Sequence, residues 1–206
     1  PISNGNSFSQ TLILVNLAPN HKSQKIMKRV LTTMYMLCML CVSAQEFNKE
    51  IIIENGRQLL VGQINLEGLQ TPPNNHWFQQ GFDSYQVDET LTTVLKEKLN
   101  EYHIKLFLGT WCGDSKRETP RFIKILKAID FPMDQLEIIA LDYRKGHYKT
   151  SPTGEEKGLN IIKVPTIIFY KDGKEVNRIV ESPLESLEED IAQIIFQKGY
   201  TPNYAY

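Results

Sequence analysis

Paired cysteines, charge of one sign, internal repeats and a full-length apolar span are what this chain lacks. Acidic residues number 24 against 23 basic ones, a formal net charge of −1, and no basic stripe runs through the sequence. That balance argues against nucleic acid as the main partner. No repeat and no low-complexity tract is found beyond a polar N-terminus. The apolar run Val30 to Val42 is too short and too rich in Thr for a comfortable membrane span. His76, His103 and His147 share no ligand-like spacing with one another or with Cys112, so no metal and no other cofactor is expected. Of three cysteines, Cys38 and Cys41 fall within the apolar run, which leaves Cys112 alone in the rest of the chain. If that run is removed by processing, Cys112 is the one thiol left and closes no internal disulfide; it stays free, becomes oxidised or pairs with another molecule.

What is present centres on that cysteine. Trp111-Cys112-Gly113-Asp114-Ser115 sits where the strand-like run Ile104 to Thr110 gives way to a helix-like pattern beginning near Lys116. Backbone N–H groups in the first turn of a helix have no intrahelical partners and carry the positive end of the dipole, so they stabilise a thiolate. Downstream, Val164-Pro165-Thr166 leads into the strand-like Ile167-Ile168-Phe169-Tyr170. Proline lacks an N–H, which suits a strand start and leaves neighbouring backbone groups free for another chain. Together the two segments imply a thiol beside a peptide-binding edge.

The 206 residues, 41% of them hydrophobic, allow one well-cored domain with appended segments. Met27-Lys28-Arg29, the apolar run and Val42-Ser43-Ala44 follow the order of a secretory signal, with cleavage expected after Ala44. The segments expected are therefore 1–26, upstream and unstructured, with Met27 as a plausible start; 27–44, a signal peptide; 45–87, an extension; and 88–200, the main domain. Export to a periplasm is the localisation this implies, or a membrane anchor if the signal is not removed.

Within the extension, Ile51-Ile52-Ile53, Glu54-Asn55-Gly56-Arg57 and Leu59-Leu60-Val61 read as a hairpin over Glu50 to Val61, because Asn-Gly supplies the positive φ of a tight turn. A loop with Pro72-Pro73 follows. His76, Trp77, Phe78, Phe82 and Tyr85 then form an aromatic cluster expected to pack against the core. Asp88 is expected to cap a helix with Leu91, Val94, Leu95 and Leu99 on one face. Strand Ile104 to Leu108, a helix through Phe122 to Leu126, strand Leu136 to Leu141, a polar loop from Tyr143 to about Gly158, strands Thr166 to Tyr170 and Glu175 to Val180, and a helix from Pro183 to about Gln197 complete the pattern. The last helix is expected to expose Glu185, Glu188 and Glu189. Strands alternating with helices and ending in a hairpin predict an α/β domain with a central mixed sheet flanked by helices.

From about Asp88 to Lys198 the sequence resembles the thioredoxin-like superfamily. Trp111 precedes Cys112 as in the active-site motif, Lys116 follows the fourth motif position, and Pro120 falls where the active-site helix kinks. Val164-Pro165-Thr166 matches the loop whose proline is cis, and Lys171-Asp172-Gly173-Lys174 the turn between the last two strands. More narrowly, Leu108 to Arg117 and Arg178 to Pro183 are similar to a bacterial branch of exported or cytosolic family members. The chain departs from the family in three places. Ser115 replaces the second, resolving cysteine; Leu106 replaces a buried acid; and Glu181 stands where many members carry a groove-lining glycine.

The resemblance implies a thioredoxin-like fold with an N-terminal hairpin extension and a monothiol version of thiol-disulfide exchange, as an isomerase or a reductase of mixed disulfides. Cys112 and Ser115 are the expected catalytic pair, since a Ser115 hydroxyl is able to donate to a Cys112 thiolate. Trp111, Gly113, Asp114, Val164, Pro165, Thr166 and Glu181 are expected to line the groove. Partners would be client proteins or small thiols and disulfides, with an external thiol as reductant, because Ser115 cannot release a trapped client. The competing reading is a client-binding module that has kept the groove without the catalysis. A one-cysteine peroxidase is disfavoured, because the sequence shows no upstream Thr or Pro arrangement of the peroxiredoxin kind. The loop from Tyr143 either overhangs the groove or is a plain exposed connection.

Overall fold

Asn55-Gly56 reverses the chain, with Gly56 at φ 78°, and the flanking residues form β1 (Lys49–Ile52) and β2 (Gln58–Ile64). These strands pair antiparallel with Lys49 opposite Val61. The computed structural model describes residues 21–38 and 46–205. It divides into two units, 1–44 and 45–206. In the first, helix α1 (His21–Cys38) starts inside the stretch expected to be unstructured and runs across Met27 into the expected signal segment. The expected cleavage position after Ala44 and residues 1–20 lie outside the described residues. No helix among the described residues is long and apolar enough to cross a membrane.

In the second unit, β2 also pairs antiparallel with β4 (Leu136–Ala140), so the hairpin is built into the main sheet. β3 (His103–Leu108) runs parallel to β4 and antiparallel to β5 (Thr166–Lys171), and β5 pairs antiparallel with β6 (Lys174–Val180). The order is β1-β2-β4-β3-β5-β6, a mixed sheet with helices against it, and the fold class is the expected α/β thioredoxin-like one.

Two helices have no counterpart in the sequence reading. α2 (Leu66–Gln70) is capped by Asn65, whose side chain accepts the Gly68 N–H. α3 (Asn75–Ser84) carries the aromatic cluster and has no side-chain cap. Phe78 is buried, and Trp77, Phe82 and Tyr85 pack against the same core, whereas His76 is exposed. α3 lies close against α5 (Gly113–Ala128). A Cβ added at Gly81 would stand 2.5 Å from Pro120 Cγ, so a side chain there would push the two helices apart.

α4 (Glu89–Lys96) starts at the expected cap, with Asp88 accepting the Thr90 and Leu91 N–H groups. It ends earlier than expected. Leu99 begins a separate 3-10 turn, and Val94 is exposed while Leu95 and Leu99 are buried. α6 (Leu187–Ile195) also starts later than expected, at the Ser186 cap. Asp190 explains the delay, because its carboxylate accepts the Leu184 and Glu185 N–H groups at 2.7 and 3.3 Å. The expected solvated face is corrected at Glu188, which is 1% exposed and accepts the Tyr85 hydroxyl at 2.7 Å. Glu185 and Glu189 are exposed.

Alternation along β3 sorts the interior into two layers. Ile104, Leu106 and Leu108 join the large cluster that includes Phe78, Leu95, Phe122 and Ile191 from the helices. Phe107 points to the opposite face and joins Ile139, Leu141, Val164 and Ile168, with Trp111, Cys112, Leu159 and Ile161 packed on them. The segment after β4, not a helix, covers this second and thinner layer.

Candidate active site

β3 ends and α5 begins within one tight corner. The Cys112 N–H donates to the Gly109 carbonyl at 2.9 Å, and the Cys112 carbonyl accepts the Lys116 N–H at 3.1 Å. Cys112 is extended, at φ −89° and ψ 131°, and occupies the N-cap of α5. The unmatched N–H groups of the first helical turn therefore lie at the residue that carries the sulfur. The side chain is half-buried, and Sγ donates to the Val164 carbonyl at 3.2 Å. The Val164-Pro165 bond is cis, and Thr166, buried, donates its hydroxyl to the Lys163 carbonyl at 2.7 Å. The corner and the Val164-Pro165-Thr166 loop, far apart in sequence, thus meet at one sulfur.

Trp111 fixes the corner from the other side. Its Nε1 donates to the Leu141 carbonyl at 2.8 Å, and its ring packs on Tyr143 and Tyr148 at centroid separations of 5.4 and 6.0 Å. A Cβ at Gly109 would come within 2.6 Å of the indole, so the close approach needs glycine. The polar segment after β4 is therefore placed over the tryptophan. It is tied down by Asp142, which accepts two bonds from the Arg144 guanidinium at 2.8 and 2.7 Å and one from its N–H at 2.9 Å. Burial pushes the Asp142 carboxyl up, and the bonds and charge of Arg144 outweigh it, leaving the pKa below the usual value.

The negative charges near the sulfur are both paired. Asp114 contacts the Arg117 guanidinium at 2.8 Å. Glu181 contacts Lys163 Nζ at 2.8 Å and accepts the Tyr204 hydroxyl. Lys163, then Tyr204, hold the Glu181 carboxyl below the ordinary range, and Lys163 is raised mainly by Glu181. Glu181 sits at φ 66°, in the left-handed region that glycine enters freely, and its N–H donates to the Pro165 carbonyl at 2.7 Å. It thus keeps the backbone shape of a glycine position while adding a charge beside Pro165.

Ser115 is fully buried, and its Oγ accepts the Gly109 N–H at 3.1 Å. Among the described residues its hydrogen bond is to that backbone group rather than to Cys112. Gly113 is exposed with open space around its Cα. Leu106 is fully buried within the apolar layer. The buried acid on α5 is instead Glu118, 2% exposed, which contacts Arg117 and Arg121. The sequence reading missed Thr110, Lys163, Tyr204 and Glu118. Thr110 and Lys163 adjoin the motifs in sequence, whereas Tyr204 and Glu118 carry no local signal.

A family model described as Thioredoxin matches residues 85–193. A thioredoxin of Chlamydia muridarum is 35% identical over 74 residues, which are 36% of this chain and 63% of that protein. The thioredoxin Asp f 29 of Aspergillus fumigatus is 30% identical over 112 residues, 52% of this chain and 94% of that protein. A TPR repeat-containing thioredoxin of Arabidopsis thaliana is 29% identical over 101 residues, 49% of this chain and 24% of that protein. The chain thus spans 24% of the plant relative and 63% of the chlamydial one.

Proposed function

This chain belongs to the thioredoxin family, and from that premise we propose that it carries out thiol-disulfide exchange with Cys112 as its one working thiol. The observation that carries the reading is the half-buried Cys112 sulfur at the N-cap of α5, 3.2 Å from the Val164 carbonyl. A Cys112 thiolate attacks one sulfur of a disulfide; a new sulfur–sulfur bond forms to Cys112, the old one breaks, and the other half leaves as a thiolate. An external small thiol then attacks the client sulfur and releases Cys112. Ser115 keeps its O–H proton available for the Cys112 thiolate, and Trp111, Gly113, Asp114, Val164, Pro165, Thr166 and Glu181 line the client groove. Isomerisation of protein disulfides and reduction of mixed disulfides are the two outcomes open to such a thiol.

The alternative is a client-binding module. It is favoured by the bond from the Cys112 S–H to Val164, which a thiolate cannot make. Site-resolved mass spectrometry after mixing with glutathione disulfide separates the two. A reversible adduct on Cys112, abolished by Cys112→Ser, is expected; client binding that persists in Cys112→Ser with no adduct in the parent leaves the module reading standing. The leader reading, with export to a bacterial periplasm or anchoring by an uncleaved signal, is part of the same proposal. N-terminal sequencing of the expressed protein should give Gln45 first, and a chain that still begins upstream of Val30 speaks for the anchor.

A further inference from the structure

Beside the cysteine corner, between the β1–β2 turn, the start of α3 and the first turn of α5, lies a pocket of about 250 Å³ lined in part by Arg57, Pro73, Asn74, Trp77, Thr110 and Lys116. No acidic side chain lines it. Three other cations around the site are matched by carboxylates, Arg117 with Asp114, Arg144 with Asp142 and Lys163 with Glu181, and Lys149 Nζ donates to the Ile162 carbonyl. Among the described residues neither the Arg57 guanidinium nor the Lys116 ammonium has a carboxylate partner. Thr110, 4% exposed, accepts the Leu60 N–H at 3.3 Å and keeps its own O–H to donate. Two unpaired cations and a buried hydroxyl donor therefore converge on a concave, partly apolar space.

Cys112 does not line the pocket, and its Sγ faces Val164, but two of the lining residues flank it along the chain. Thr110 lies two residues before Cys112, and the Lys116 N–H bonds the Cys112 carbonyl at 3.1 Å. Side chains on a helix lean toward its N-terminus, which brings the Lys116 ammonium back toward the Cys112 end of α5. We propose that this pocket holds a carboxylate of the disulfide or thiol that reacts at Cys112, an inference that rests on the exchange reading above. A guanidinium fork and an ammonium both suit a carboxylate, and the volume admits such a group on a short carbon chain rather than a drug-sized ligand. The carboxylate belongs either to a small acidic thiol or to an acidic residue beside a client disulfide.

The test compares rates of Cys112 adduct formation in the full chain with anionic 3,3′-dithiodipropionate and neutral 2-hydroxyethyl disulfide, each normalised to a small model thiol. The anionic reagent should be favoured roughly three- to tenfold at low salt and less at high salt. Arg57→Gln and Lys116→Gln should each bring the ratio toward one. Lys174→Gln removes the same charge at the exposed first residue of β6, about 20 Å along β5 from the Pro165 end of the site, and should leave the ratio alone. No preference in the parent with the small reagents and none with an Asp-containing over an Asn-containing peptide disulfide, or an equal loss in Lys174→Gln, overturns the pocket assignment while leaving exchange intact. No Cys112 adduct with either reagent overturns the exchange reading and the pocket with it. A peptide disulfide with Asp beside Cys, run against its Asn counterpart, identifies the source. Preference confined to the peptide assigns the carboxylate to protein clients, and preference confined to the small reagent assigns it to a free thiol.

Discussion

Two corners of this molecule use carboxylates in opposite ways. Around Cys112, Asp114 and Glu181 lie near the surface, each facing one cation. At the start of α6, Glu188 and Asp190 are 1% and 0% exposed and are satisfied by neutral donors: the Tyr85 hydroxyl, the Tyr200 hydroxyl and backbone N–H groups. Burial and these carboxylates push the Tyr85 and Tyr200 hydroxyls above their ordinary pKa, so both remain donors. Charges at the cysteine corner are cheap to change. Those at the corner far from the sulfur are structural.

The sharpest way to break that comparison is Asp190→Ala. It strips partners from the Leu184 and Glu185 N–H groups and from Tyr200, and should cost about 3–5 kcal/mol in denaturant unfolding. The folded fraction should still alkylate at Cys112 at the parent rate. Gly109→Ala is next, at about 1–3 kcal/mol, because its Cβ must displace the Trp111 indole; tryptophan fluorescence should shift with it. Tyr85→Phe deletes one hydrogen bond to Glu188 and should cost about 1 kcal/mol by the same unfolding measurement. Glu181→Gly sits at the other extreme. Relief of the positive φ offsets the lost ion pair, and stability should stay within about 1 kcal/mol of the parent.

Acid sharpens the comparison further. The folded Glu181 pKa is depressed, so its contribution is complete above the unfolded carboxylate value, about 4.3, and is lost as pH falls through the lower folded value. For Lys163 the folded pKa is raised, so the contribution is complete below about 10.4 and is lost as pH rises through the higher folded value. Between those limits Glu181→Gln should show a small, flat deficit, and that deficit should vanish in strong acid, as read by unfolding at a series of pH values.

The sheet and the cysteine corner were legible because each depends on local signals: Asn55-Gly56 for the turn, the apolar run of β3, and Pro165 at the start of β5. α2 and α3 were not legible. Pro72-Pro73 marked only a loop, and α3 lacks a capping side chain and mixes its aromatics with polar residues. Its helicity is supplied by packing against α5, where Gly81 meets Pro120, a contact that no local window contains. The expectation of a solvated Glu188 failed for a related reason, and the structural role of Asp190 had no signal at all. A charged residue at a helix start reads as solvated, and only the fold brings Tyr85 and Tyr200 to meet them. At the site, the bond from the Gly109 N–H to the Ser115 oxygen had no local signal, because it depends on the corner that makes Cys112 an N-cap and turns that N–H onto Ser115.

The bond from the Leu60 N–H to Thr110 has an implication for how the chain can be cut. Thr110 adjoins Trp111 and Cys112, while Leu60 belongs to β2, upstream of the 85–193 stretch that carries the family match. Leu60, Ile64, Leu69 and Phe78 lie in the same apolar cluster as Phe122 and Ile191. A fragment begun at Asp88 would keep every motif of the family and still lose one wall of its interior together with a ladder partner of β4. Recognisable ancestry and autonomous folding therefore have different limits here, and limited proteolysis should spare the peptide bonds between β2 and α4 for as long as Cys112 stays in place.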